Sequence, residues 1–529
     1  MTSIDSVNKS THDLLDEREV KIDDLLANDI LWWKVSHLRM LILAIFLISM
    51  TPTINGYDGS MLNGLQSLPH WRSAMGNPER YVLGHLSTGP IYGGIICIPI
   101  APIICDKYGR RISLFVGGVL AIIGGVLQGV SNSYGLFLGS RMIIGFGGYM
   151  CGIAAPVLIS EISYPSHRET CTFGYNVCWY IGAIAAAWVT YATRVYDSNA
   201  SWKIPSYLQA LLPLIQVLFI WIIPESPRFY ISKGKKEKAR EVLTKYHIGN
   251  STDPERIKLV DFEMEQIETA INLEKASTNS SYLDFITKAN FRKRLFICIF
   301  VPVMQQLSGN ALVSYYLAKV LESIGITGSK EQLEINGCLM IYNLVICCTL
   351  TGFVRKIKRR TMFLTCIPGM LISYIIWTIL SARNQQTNFE HKSLANGVLA
   401  MIFFFYFFYD IGLNGLPSLY LTEILPFSHR AKGFNILLVA NLCVSVFNGY
   451  ANPVAMYYIL WKYYIVYCVF LAFELVLVYF FFPETSGYTL EEVGQVFGDI
   501  PVPPISQTKL GELDDTKVSV VHEDVAQKV

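Results

Sequence analysis

Met40-Leu-Ile-Leu-Ala-Ile-Phe-Leu-Ile-Ser-Met-Thr-Pro-Thr-Ile-Asn-Gly-Tyr57 is an unbroken run without a charge, and the next residue is Asp58. At ~1.5 Å of helical rise per residue the run, once continued or tilted, is long enough to cross a ~30 Å hydrocarbon layer. A carboxylate in that setting is costly, so a place on a transport pathway is the default reading, and the plain alternative puts Asp58 at headgroup level, bonded to water. Its neighbours Asn55, Gly56, Tyr57 and Gly59 favour the pathway. Glycines admit a close backbone or ligand, while tyrosine offers an apolar face and a hydroxyl.

Composition extends this reading to the whole chain. Of 529 residues, 52% are hydrophobic and only 16% charged, too greasy for an ordinary soluble domain and in keeping with a polytopic membrane protein. A net charge of +2 gives no footing for nucleic acid. The twelve cysteines sit mostly in apolar stretches, as at Cys97, Cys105, Cys347 and Cys443, where the residue serves as a small hydrophobe. No nucleotide loop, metal cluster or nucleophile triad with sensible spacing is present, so the sequence predicts neither an enzyme nor a cofactor.

Six apolar stretches of spanning length fall between 40 and 223 and six between 295 and 482. The predicted organisation is a cytoplasmic tail (1–37), a six-helix bundle (38–223), a cytoplasmic connector (224–294), a second six-helix bundle (295–483) and a cytoplasmic tail (484–529). The connector reads as short amphipathic helices in solvent. Lysine and arginine concentrate in the loops after even-numbered spans, which places both termini in the cytosol and leaves Asn199-Ala-Ser201 as the sequon facing outside. Three marker segments recur in order. Asp106-Lys-Tyr-Gly-Arg-Arg111 answers Arg355-Lys-Ile-Lys-Arg-Arg360, Glu161 to Arg168 answers Glu423 to Arg430, and Pro224-Glu-Ser-Pro answers Pro483-Glu-Thr-Ser. Such a duplication builds transporters with a site between the halves.

The antiparallel course of spans 1 and 4 puts Asp58 and Arg141 at similar depth, so the sequence predicts a pair. Such a pair either switches the acid's proton affinity or statically clamps two helices. Asp410, at membrane depth in span 10, is either functional or simply bonded to a helix neighbour.

Gly56-Tyr57-Asp58, Asp106-x-x-Gly-Arg-Arg111, Arg141-x-x-x-Gly145-x-Gly147, Pro156 with Glu161 and Arg168, Pro224-Glu-Ser-Pro-Arg228, Gln305-Gln306, Tyr420-x-x-Glu423 and Pro483-Glu-Thr together resemble the sugar porters of the major facilitator superfamily, over roughly residues 38–495. The resemblance implies an all-α membrane protein with twelve transmembrane helices in two six-helix pseudo-repeats. Residues 56–66, Gln306-Leu-Ser-Gly-Asn310 and Asn448-Gly-Tyr-Ala-Asn-Pro453 are similar to the fungal lactose-permease-like branch, which implies a mono- or disaccharide of lactose or cellobiose type.

The resemblance assigns proton coupling to Asp58 and Arg141, and sugar contacts to Gln305, Gln306 and Asn176. A sugar wants amides and ring faces, which adds Asn310, Asn441 and Tyr57, with Asn448, Trp179, Tyr315 and Tyr316 as weaker choices. Each intramembrane amide has interhelical glue as its alternative. Asp106, Arg110, Arg111, Glu161, Arg168, Glu225, Arg228, Glu423 and Arg430 match the family's cytoplasmic gate, with plain topology anchoring as the alternative. Arg355 stands where that pattern has an acid, which predicts a lopsided latch. The function expected is a plasma-membrane proton–sugar symporter. A facilitator on the same frame and a sugar sensor, encouraged by Arg355, Lys358 and Leu158, stay open beside it.

Overall fold

The computed structural model describes residues 32–276, 281–351, 357–486, 493–494 and 496–498. Helix dominates throughout. Six helices form the first half: α1 (Ser36–Leu65), α2 (Arg80–Cys97 continued by Ala101–Tyr108), α3 (Arg110–Val130), α4 (Tyr134–Ile162), α5 (Arg168–Thr193) and α6 (Ala200–Ile222). Six more form the second: α7 (Ala289–Glu322), α8 (Ser329–Leu350), α9 (Arg359–Gln386), α10 (Lys392–Ile424), α11 (Lys432–Tyr458) and α12 (Leu460–Phe481). Among the described residues ten are long and apolar enough to cross a membrane, or eleven when the two pieces of α2, bent by 50°, count as one. The remaining helix, α5, has 26 residues and a more polar first half with Arg168, Thr170, Thr172 and Asn176. Large apolar side chains such as Phe46, Leu218, Val469 and Phe480 stay exposed around the outside, a belt that only lipid would cover.

The two halves pack alike. In the first, α1 lies on α5, α3 on α4 and α3 on α6, and in the second α7 lies on α11, α9 on α10 and α9 on α12. The halves meet through α5 with α8, α2 with α11 and α1 with α7. Lipid offers no hydrophobic drive for helix association, so close backbone approach carries much of the packing. Gly56 and Gly182 make that approach possible between α1 and α5: a Cβ on Gly56 would overlap the Trp179 carbonyl, and one on Gly182 the Thr53 carbonyl.

Several spans break near the middle. α1 is interrupted at Ser49, α7 at Ser308 and Gly309, and α10 between Leu413 and Gly415. Gly309 has φ +102° and begins the second piece of α7, a backbone that L side chains rarely adopt. Broken spans leave carbonyls free for polar partners. Gln305 Nε2 takes one of them, donating to Leu413 O at 3.0 Å.

Between the halves, helices Lys236–His247 and Pro254–Ala276 fold back on the first half. His247 joins Glu263 at 2.7 Å and the last-turn carbonyl of Ile162 at 3.1 Å. The connector's far end docks on α11's leading end, where Asp284 meets His429 at 2.9 Å. His429 beside it holds the Asp284 carboxyl below the usual range, at about 2. All twelve cysteines are free.

Gly182→Val should lower stability by on the order of 3 kcal/mol, because the new atoms meet backbone rather than a side chain that can swing away. The midpoint of thermal unfolding in detergent measures this, and an unchanged midpoint would refute the close-approach argument.

Candidate functional site

A cavity of about 400 Å³ lies between the halves. Its first-half wall comes from α1 (Asn55, Asp58, Gly59), α2 (Ser87, Thr88), α4 (Arg141, Tyr149) and α5 (Trp179), and its second-half wall from α7 (Gln306, Tyr315, Tyr316) and α11 (Ser445, Asn448, Asn452). A Cβ on Gly59 would lie 3.6 Å from the Trp179 ring and 4.0 Å from that of Tyr315, so the two rings come close to the same point of α1.

Asp58 and Arg141 meet in this wall. Arg141 donates from Nη1 to Oδ1 at 3.1 Å and from Nη2 to Oδ2 at 3.2 Å, a bidentate fork that suits a carboxylate. The arginine is 1% exposed and the aspartate 8%. A buried pair is tolerated only when its remaining donors and lone pairs are met. Here Arg141 Nε donates to Leu86 O at 2.8 Å, and Gln209 Nε2 of α6 donates to Asp58 Oδ1 at 2.8 Å. Gln209 is a residue that the sequence reading missed. Its only signal was an amide inside an apolar span, whereas the family resemblance pointed to Asn176.

The expected sugar contacts separate into groups. Gln306 lines the cavity; its Nε2 donates to Asn441 Oδ1 at 3.0 Å, and its backbone carbonyl accepts from Asn448 Nδ2 at 2.8 Å. Asn448 Oδ1 is buried without a hydrogen-bond partner among the described residues. Gln305 and Asn310 do not appear in the cavity wall: the first bonds Leu413 O, and Asn310 Nδ2 donates to Tyr409 Oη at 3.0 Å. Tyr57 is also turned away, donating to Pro205 O at 3.0 Å and so tying α1 to α6. Asn176 is exposed and off the wall. Asn55, one helical turn before Asp58, joins the wall because residues three apart share a helix face.

The charged markers form two matched clusters at the connector face. In the first half Arg110 pairs with Glu161 at 3.3 Å, while Glu225 accepts from the backbone N–H groups of Arg110 and Arg111 at 3.0 and 3.1 Å. In the second, Arg359 pairs with Glu423 at 3.2 Å and Glu484 accepts from the N–H groups of Arg359 and Arg360 at 2.9 and 3.1 Å. Arg359, Arg360 and Glu484 were legible from the repeat but were not chosen. Arg430 donates to Thr422 O within its own half, and Asp106 and Arg168 are exposed. Arg228 follows Pro227 at the start of the short helix Pro227–Ser232. Arg355 lies outside the described residues.

Apart from the bonds of Tyr180 with Asp410 and Asn414, both 3.0 Å, the polar contacts between the halves gather at the opposite face. Arg72 pairs with Glu322 at 3.2 Å, Gln66 donates to Tyr315 O at 2.8 Å, Ser329 to Ser67 O at 2.6 Å and Tyr191 to Glu334 at 2.7 Å. His85 Nδ1 lies 2.7 Å from Tyr450 Oη, and Arg80 stacks 3.9 Å over Tyr457. Toward the connector, by contrast, Asn176, Asn414 and Ser418 are exposed. The cleft is therefore shut away from the connector and open toward it.

A two-half bundle with a cavity at its seam that holds a buried ion pair, amides and aromatic rings, closed at one end, defines a membrane transporter of the major facilitator class. The family described as "Sugar (and other) transporter" matches residues 44–497, and the chain belongs to that family. It is 25% identical over 481 residues to a high-affinity glucose transporter of Kluyveromyces lactis, covering 88% of this chain and 86% of that one. It is 26% identical over 467 residues to the low-affinity glucose transporter HXT3 of Saccharomyces cerevisiae, covering 85% and 80%. It is also similar to the MFS-type transporter criB of Aspergillus cristatus, at 26% over 445 residues, covering 84% and 90%. Among solved structures, the inward open xylose transporter XylE from E. coli matches with a TM-score of 0.71 at 19% identity, covering 86% of this chain and 99% of that one. The proton:xylose symporter XylE bound to 6-bromo-6-deoxy-D-glucose gives 0.69 at 20%, covering 87% and 100%.

The Arg72–Glu322 pair is about a third exposed on each side, so it is worth ~0.2–1 kcal/mol. Arg72→Ala should raise thiol labelling at a cysteine placed at Asn63, added from the face away from the connector, by up to about fivefold. Unchanged labelling would mean that this contact does not hold the halves.

Proposed function

We propose that the chain is a plasma-membrane symporter, with both termini in the cytosol, that imports a mono- or disaccharide with a proton by alternating access. The observation that carries the reading is the Asp58–Arg141–Gln209 cluster in the wall of the cavity between the halves. An opposite charge favours the ionised acid and burial favours the neutral one. Any movement of Arg141 away from Asp58 then raises the acid's hold on a proton. A bend of α1 at its break beside Ser49, as the halves rock, supplies such movement within the first half.

In this scheme a proton settles on Asp58 from outside, and the sugar bridges Trp179 and Asn55 to Gln306, Tyr315 and Asn448. The far-face contacts then close, the cleft opens toward the cytosol, and sugar and proton leave. The conformation described above corresponds to that last step. The clusters at Arg110 and Arg359 act as the cytoplasmic gate, closing within each half in this state and between halves in the opposite one; only contacts that differ between states bias the equilibrium. One charge crossing 100 mV is worth ~2.3 kcal/mol, or about fifty-fold in accumulation. The cavity falls in the ~300–1,000 Å³ range of small-molecule sites, and the likeness of residues 306–310 and 448–453 to the lactose-permease-like branch supports a β-linked disaccharide of lactose or cellobiose type.

A facilitator is the second reading, favoured by one observation: the bidentate fork leaves Asp58 fully satisfied as an anion, with no need of a proton. Sugar-induced alkalinisation of the medium separates the two. Labelled-sugar uptake in a carrier-free host, competed by mono- and disaccharides at two pH values, identifies the substrate. Asp58→Asn should abolish uphill uptake and leave sugar exchange in place; accumulation retained by this variant would defeat the coupling reading.

A further inference from the structure

Asp410 stands outside the cavity wall and the Asp58 cluster. It lies in α10, 6% exposed, one turn before that helix breaks. Its Oδ1 accepts from Tyr180 Oη at 3.0 Å and from Asn414 Nδ2 at 3.1 Å, and its Oδ2 has no hydrogen-bond partner among the described residues. The titratable groups facing it are Tyr180 from α5, Tyr342 and Cys347 from α8, and Tyr406 and Tyr409 from its own helix. None of these is a cation. Asp58 has a guanidinium fork to hold its charge, whereas Asp410 has only neutral neighbours among the described residues, Tyr180 and Asn414 on Oδ1 and the Cys347 thiol beside them.

Two further facts give this acid a function. Its bond to Tyr180 crosses from the second half to the first, at the level where α10 turns toward Glu423. Asn414, which touches Asp410, Tyr180 Oη at 3.0 Å and Cys347 Sγ at 3.0 Å, is itself exposed on the connector side. A buried acid without a cation is thus one residue from water. Burial opposes its charge and the two donors support it, a balance in which a proton can come and go.

We propose that Asp410 is a second proton-binding site, loaded when the cleft opens away from the connector and emptied past Asn414 on the connector side, and that its bond to Tyr180 links proton occupancy to the contact between the halves. The step is a simple one: a hydronium ion from the face away from the connector gives its proton to Oδ2, leaving water and a neutral acid, and once the cleft opens toward the connector the acid gives that proton to water there. The ionised acid holds Tyr180 by a charge-assisted bond, roughly twice as strong as a neutral one. Protonation therefore loosens the tie between α5 and α10.

The proposal rests on the symport reading, and the test keeps the two apart. Purified protein in liposomes under a set membrane potential yields charge moved per labelled sugar. The parent should move about two charges per sugar and Asp410→Asn about one, with exchange retained. An equal ratio in both proteins would overturn the second site while leaving symport intact, and a parent that moves no charge would remove symport and this site together. Should Asp410→Asn fail to reach the membrane, Tyr180→Phe keeps the acid and removes its hydroxyl partner. That variant should shift the pH profile of charge movement toward lower proton concentration by at least about threefold, with sugar affinity unchanged; an unshifted profile would overturn the proposal.

Discussion

Asp58 and Arg141 face each other in a place where neither could stay alone. Removing one partner of a buried pair leaves an uncompensated charge, at a cost of roughly 3–5 kcal/mol. That penalty fixes the arrangement of the first half: α1 and α4 must stay within reach, the Leu86 carbonyl must turn to Arg141, and Gln209 must bring α6 to the acid. The Tyr57 hydroxyl on Pro205 and the glycine contacts between α1 and α5 hold the same helix from its other sides. A polar cluster met on every side in the first half faces amides and rings from the second across the cavity.

The distribution of contacts between halves gives the cavity its direction. Ion pairs and hydrogen bonds cross the seam at Arg72, Gln66, Ser329 and Tyr191, at the face away from the connector. At the connector face the named clusters close within their own halves. Each crossing contact is modest: the part-exposed Arg72–Glu322 pair contributes little, and a hydrogen bond adds ~0.5–1.5 kcal/mol net. A sum of weak contacts on one face is what a rocking bundle needs, since a single strong one would trap it.

The sequence carried the fold in unequal parts. Twelve spans, the internal duplication and the Asp58–Arg141 pairing were legible, because apolar length, repeated charged motifs and antiparallel depth all leave marks on a linear chain. Helix breaks were harder: only Gly309 advertises the interruption in α7, and Leu413 to Gly415 reads as continuous helix until its carbonyl is found bonded to Gln305. The sugar-contact expectation mixed lining residues with packing ones for the same reason. An amide in an apolar span signals a partner but not which partner, so Gln306 and Asn310 looked alike until the structure put one at the cavity and the other on Tyr409. Arg72 and Glu322 were not singled out, because nothing in their spacing announced a contact 250 residues apart.

Calorimetric titration with the transported sugar, run at neutral pH in two buffers of different ionisation heat, counts the protons bound with the sugar. The account predicts net proton uptake by the parent protein that falls by about one when Asp58 is replaced by Asn. Equal proton uptake in the two proteins would contradict it.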